Sequence, residues 1–291
     1  MGGAVTPVAP TGVAASSALS DLLSGPPRTA RVRGISGPAC YLDVDGEIVV
    51  IEGSGGAGLP NAVRVAHPAR PPLQLAVDDD VVIGRGAVTV DRRELPVHRW
   101  WDPHVRIATF RLDAAAVAVA VATLRSVATP ADGELLGRPA TSDLARALHQ
   151  RDRDLLTAAA RALLGRGPGL TPAGDDVLAG VLATLRVLGP SRPDPVAAFV
   201  GAMADTVSAA VVDVARERTT ALSAQLLAYA DVGAVALPVG DVLRAVAGRG
   251  ELVAAAVRLA RVGHTSGSDL LIGIALAVDI LLPEPEGACL S

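Results

Sequence analysis

A chain of 291 residues that is half hydrophobic but only 2% aromatic can build one large domain or two ordinary ones, with cores of Ala, Val and Leu. Its net charge of −4 supplies no broad basic field, which argues against a nucleic-acid partner. All 26 basic residues are arginines, so Schiff-base chemistry and a P-loop lysine are excluded.

Residues 1–27 read as a mobile leader with a short helix over 17–23, without the basic n-region of a secretory signal. Cys40 and Cys289 stand near opposite ends and in no CxxC or metal-ligand spacing, which argues against a disulfide framework or a structural zinc site. Residues 28–110 show short β-like runs. "ACYLDVDGEIVVIE" is two extended segments around the Asp45-Gly46 pair, a hairpin signal. "LQLAVDDDVVIGRGAVTV" repeats the theme, with Asp78–Asp80 and Gly84/Gly86 as turns. His98, Arg99, Trp100, Trp101, Asp102 and His104 then form a cluster, read as an aromatic plug at a domain junction or as a pocket wall.

After Phe110 the pattern turns helical. "LDAAAVAVAVATLRSVA" is an Ala-rich helix, and "TSDLARALHQRDRDLLTAAARALL" starts at a Thr141/Ser142 cap. Further helices follow Pro172 and cover 195–229, 239–247, 251–262 and 268–282. The expected fold class is α+β, a β-rich N-terminal domain (28–110), drawn as a small barrel or an open antiparallel sheet, followed by a mainly helical domain (111–291). The longest apolar stretches are too short, or broken by Asp279, for a membrane span. The expected location is the cytoplasm, with no membrane partner.

Two loops match. "GPGLTPAGDDVLAG" begins at Gly167 and "GHTSGSDLLIGI" at Gly263. Gly174, Asp176, Leu178 and Gly180 correspond to Gly267, Asp269, Leu271 and Gly273 at a constant offset of 93. Thr171 aligns with Thr265 through a one-residue gap. A helix start offers unpaired N–H groups and a partial positive charge, and glycines let a ligand approach the backbone. Two such starts aimed at one point make an anion cradle from Gly167, Gly169, Thr171, Gly174, Gly263, Thr265, Ser266 and Gly267. Asp175, Asp176 and Asp269 then orient an amide or hold a bridging divalent cation, the one cofactor that the pattern admits. Simple capping of each helix is the competing reading. Gly180 and Gly273 each cost about 1 kcal/mol against Ala inside a helix. A close helix crossing at these two glycines would explain that cost and bring the loops together.

"ARERTTALSAQLLAYA" adds Arg216, Arg218, Thr219, Thr220 and Ser223, with Thr219 and Ser223 sharing a helical face beside Arg216. Such a cluster offers a guanidinium fork to a carboxylate or phosphate, or is a solvated face. His264 is the histidine placed for acid–base work. Ser266, His264 and Asp269 lie too close in sequence to favour a nucleophilic triad.

These stretches, with "RTTALSAQLLAYADVG" (218–233), "VRGISGPACYLDVDGEIVVIE" and "RWWDP", resemble the AllH-like family. That family was first described as a domain of unknown function, and its best-known member is a subunit of oxamate carbamoyltransferase in bacterial allantoin degradation. The resemblance implies a hetero-oligomeric enzyme that moves a carbamoyl group between phosphate and the nitrogen of oxamate, with FdrA-like and other carbamoyltransferase subunits as partners and a small anionic substrate. Pro172-Ala173 stands where a proline-serine pair is common in that family. On this reading Arg218 and the loop amides bind the anion, and the three aspartates orient the amide nitrogen. The alternatives are a non-catalytic scaffold or regulatory subunit and a stand-alone metal-dependent hydrolase.

Overall fold

The computed structural model describes residues 12–53, 55–66, 73–128, 138–192 and 195–282. The chain divides into two compact units, Met1–Pro103 and His104–Ser291. Residues 1–11, within the expected leader, and Cys289 lie outside the described residues.

The first unit corrects the expected fold class. In place of a generic β-rich domain it is a closed eight-stranded barrel, ordered β1-β5-β4-β3-β2-β6-β7-β8. Its strands are β1 (Val13–Ser16), β2 (Arg28–Ser36), β3 (Ala39–Val44), β4 (Glu47–Glu52), β5 (Ala62–Val65), β6 (Asp80–Gly84), β7 (Ala87–Val90) and β8 (Arg93–Trp101). The Asp45-Gly46 turn joins β3 to β4 with both residues at positive φ, as the sequence suggests. Closure depends on two parallel pairings, β4 with β5 and β1 with β8. Neither has a local turn to announce it. The first of the eight strands comes from within residues 1–27, where a 3-10 turn (Ser17–Leu19) and a short helix α1 (Ser20–Ser24) follow it. Alternate strand residues such as Ala30, Val32, Cys40, Leu42, Val49, Ile51, Val63, Val81 and Ile83 fill the interior. Burial pushes the Cys40 thiol up to about 11, so it stays a protonated packing group.

The second unit is helical. It comprises α2 (Ala114–Val127), α3 (Arg138–Gln150), α4 (Arg153–Leu163), α5 (Ala173–Leu188), α6 (Pro195–Val211), α7 (Ala215–Arg218), α8 (Ala221–Asp231), α9 (Leu237–Val246), α10 (Leu252–Ala260) and α11 (Ser266–Asp279). Two sequence expectations change here. Thr141 and Ser142 lie inside α3 rather than capping it, and the cap falls at Asp152. There the chain breaks through Arg151 at φ 55, and the Asp152 carboxylate accepts the N–H groups of Asp154 and Leu155. The single helix over 195–229 is three. Thr219 and Thr220 are extended, and the Thr220 hydroxyl caps α8 by accepting the Ser223 N–H at 3.1 Å. Every residue of α5 but Arg186 is buried, which makes it the central helix, apolar on all sides. It packs on α4, α6, α8, α9 and, most extensively, α11.

Candidate functional site

The crossing of α5 and α11 brings the two loops together. A Cβ on Gly180 would overlap the Leu270 carbonyl oxygen and stand 3.1 Å from the Ile274 nitrogen; a Cβ on Gly273 would overlap the Val177 carbonyl oxygen and stand 3.0 Å from the Val181 nitrogen. Each partner's number is the other's plus 93 (Val177 to Leu270, Val181 to Ile274), so the contact has a local two-fold symmetry. The loops enter it alike. A Cβ on Gly174 would overlap the carbonyl oxygen of Leu163, and one on Gly267 that of Leu259. The Gly174 N–H donates to the Arg166 carbonyl at 2.9 Å and the Gly267 N–H to the Val262 carbonyl at 3.0 Å. The sequence match is thus a match of helix–loop–helix units, α4–α5 and α10–α11.

At the crossing Thr171 Oγ1 lies 2.8 Å from Ser266 Oγ. Both hydroxyls lie close enough to the carboxyl of Asp176 to favour its ionised form. Its Oδ2 is buried without a partner. Burial pushes this carboxyl well above the usual range; the Ser266 hydroxyl counters it, the Asp269 charge adds to it, Thr171 counters again and Asp175 adds. Asp269 is 8% exposed and likewise keeps an unpartnered Oδ2. Burial raises its carboxyl to about 6 against the pull of the Thr265 hydroxyl. Two facing carboxyls, each with an open oxygen in a dry setting, can hold or pass a proton.

Asp175 does different work. Its Oδ1 accepts the Gly165 N–H at 2.7 Å, and the Thr219 hydroxyl donates to Oδ2. Burial raises its carboxyl, while Gly165, Thr219 and the adjacent Ser223 hydroxyl oppose the rise. It ties the first loop to the start of α8. A second tie is the Thr220 hydroxyl, which donates to the Leu170 carbonyl at 2.6 Å. Thr219 and Ser223 therefore converge through a helix cap, not along a shared helical face.

Several amides expected to be open are occupied. The N–H groups of Asp175 and Asp176 donate to the Pro172 carbonyl, that of Asp269 to the Thr265 carbonyl, and those of Gly174 and Gly267 as above. Gly169, Gly263, His264 and Arg218 are exposed. Gly167, Gly169 and Gly263 hold φ of 116°, 99° and 65°, a region that favours glycine. Neither Arg216 nor Arg218 forms an ion pair among the described residues. Among those residues no group of three His, Cys, Asp or Glu side chains is arranged to hold a metal ion.

Sequence reasoning missed Gly165. A Cβ there would overlap the Arg218 carbonyl oxygen, at φ 74. Its signal was available, as the first of three alternating glycines in "GRGPG". No helix among the described residues is long and apolar enough to cross a membrane. No solved structure matches this chain. Residues 163–278, which run from the last residue of α4 almost to the end of α11 and hold every side chain of this site, match the family model described as oxamate carbamoyltransferase subunit AllH.

Proposed function

We propose that this chain is a subunit of a carbamoyltransferase acting on oxamate or a similar small carboxamide or carboxylate. It takes a small anion, phosphate or carbamoyl phosphate, where the two glycine loops meet. The observation that carries this reading is the crossing itself, which sets Thr171 against Ser266 and brings two buried carboxyls with open oxygens, Asp176 and Asp269, within electrostatic reach of each other. The family match supports the reaction class and other carbamoyltransferase subunits as partners; an FdrA-like chain is among those expected. On this reading the enzyme serves allantoin breakdown in the cytoplasm.

In the transfer, the acceptor's nitrogen attacks the carbamoyl carbon. A C–N bond forms, the C–O bond to phosphate breaks with its electrons leaving on phosphate, and the nitrogen's proton passes to a carboxylate. Hydroxyls of Thr171 and Ser266 and the guanidinium of Arg218 offset the charge that develops on the phosphate and the carbonyl oxygen. Asp269, with a raised carboxyl, is the proton acceptor, and His264 at the exposed loop faces the departing phosphate. Because the open oxygens are buried, the loops part to admit substrate.

The test is thermal stabilisation by phosphate, carbamoyl phosphate or oxamate, together with carbamoyl transfer by the chain with and without its partner subunits. The expected result is a rise in Tm that Thr171→Val diminishes, and transfer only in the assembled preparation. No shift with any of the three compounds overturns the anion site. A second reading, a non-catalytic scaffold or regulatory subunit, draws support from the occupied helix-start amides. It expects Asp176→Asn and Asp269→Asn to dissociate the complex, seen by sedimentation, while ligand affinity in the isolated chain stays unchanged.

A further inference from the structure

The first glycine loop is fastened to the end of α7 through one carboxyl. The Gly165 N–H donates to Asp175 Oδ1 at 2.7 Å, and the Thr219 hydroxyl donates to Oδ2 of the same group. Beside these bonds the two segments touch backbone to backbone. Gly165 stands at φ 74, and a Cβ on it would overlap the Arg218 carbonyl oxygen. Arg166 follows Gly165 and Arg218 precedes Thr219, so one contact brings the backbones of two arginines to one place. Arg166 is held a second time. Its carbonyl accepts the Gly174 N–H at 2.9 Å, and its Cβ lies 3.3 Å from where a Cβ on Gly174 would stand. That fixes it against the first turn of α5.

Both arginines are exposed, and neither pairs with a carboxylate among the described residues. The carboxyl that joins their segments, Asp175, spends both oxygens on uncharged donors. Glu217, next to Arg218 in the chain, forms no ion pair among those residues either. The matching unit differs here. In the second loop the carbonyl that accepts the Gly267 N–H belongs to Val262, so a valine stands where the first loop has Arg166. The two-fold likeness of the loops therefore ends in their charge.

We infer that Arg166 and Arg218 together form the subsite for a dianionic phosphate group, with Asp175 and Thr219 as positioning residues that hold the two guanidinium stems together. The inference rests on the transfer reading above and adds Arg166 to it. One guanidinium fork matches one carboxylate; two, left without carboxylates of their own, match a doubly charged phosphate. Thr171, at the far end of the same loop, meets Ser266 at the crossing. The first loop thus runs from the phosphate end of the substrate to the crossing.

Calorimetric titration of the full chain with inorganic phosphate and, separately, with oxamate tests the assignment. Arg166→Gln and Arg218→Gln should each weaken phosphate about tenfold, the loss of one charge-assisted contact, while oxamate affinity and Tm stay unchanged. Thr219→Val keeps both arginines but unfastens them and should also weaken phosphate, and Thr219→Ser should restore it. Arg249→Gln, an exposed arginine beyond α9, should leave phosphate affinity as it was. Unchanged phosphate affinity in Arg166→Gln, with Thr171→Val still weakening it, overturns the inference and leaves the anion site in place. Equal losses for phosphate and oxamate, or an equal loss in Arg249→Gln, overturn it as well. A parent chain that binds neither compound removes the anion site itself, and the inference with it.

Discussion

Each unit of the molecule buries an acid, and the two are treated differently. In the barrel, Glu52 is 1% exposed. Its carboxylate accepts the N–H groups of Gly58 at 2.7 Å and Leu59 at 3.2 Å, and the Arg64 guanidinium on the neighbouring strand lies 3.9 Å away. Gly56 leaves room for it, since a Cβ there would stand 2.7 Å from the carboxylate. In the helical unit Asp269 is nearly as buried, yet one oxygen has no partner. Burial raises both carboxyls. Depth alone therefore does not separate the two acids; the saturation of their oxygens does, and it is the open oxygen that the proposed function uses.

The sharpest way to break the comparison is to remove the crossing that brings Asp176 and Asp269 together. Gly180→Ala and Gly273→Ala each drive a methyl into a carbonyl of the opposite helix and should cost about 4 kcal/mol or prevent folding, read by denaturant unfolding. Gly201→Ala on α6 is the control: nothing lies within 4 Å of the new methyl, and stability should hold or rise by up to about 1 kcal/mol. Next in size is Glu52→Ala, which leaves the Gly58 and Leu59 N–H groups without their acceptor and should cost about 2–3 kcal/mol. The smallest effect belongs to Asp269→Asn, and its sign differs. The folded-state value of Asp269, about 6, lies above its ordinary 3.8, so its support for the fold is complete below pH 3.8 and is lost as pH rises through 6. Asparagine removes that loss. The variant should melt about 2–4 °C above the parent at pH 7.5, show no gain near pH 4, and lose carbamoyl transfer. If Glu52→Gln behaves the same way in the melting profile, the distinction between the two acids fails.

Much of the site was legible because it is written locally. The constant offset between Gly174, Asp176, Gly180 and Gly267, Asp269, Gly273 recorded a shared backbone solution, and the mid-helix glycines pointed to a close crossing, which the reciprocal overlaps with Leu270 and Val177 bear out. What escaped the sequence is non-local or depends on one torsion. The barrel closes through parallel pairs such as Val50 with Ala62, which no turn residue marks. The break at Arg151 relies on one positive φ in a non-glycine residue. Thr219 and Thr220 sit in a helical-looking run, and their extended state follows from hydroxyls satisfied by Asp175 and Leu170, residues some 45 positions away. The chemical roles of the site residues, Arg218 and His264 among them, remain proposals.

The pairing of β1 with β8 has a consequence for how the first unit assembles. The seam of the barrel joins the first strand to the last, so it shuts only after all eight strands exist, and the long loop this implies must be ordered first. Until then β5 and β8 present bare main-chain donors and acceptors, a template on which another chain can add a strand. Four residues, Val13–Ser16, thus act as a latch between a finished cylinder and an open sheet prone to self-association.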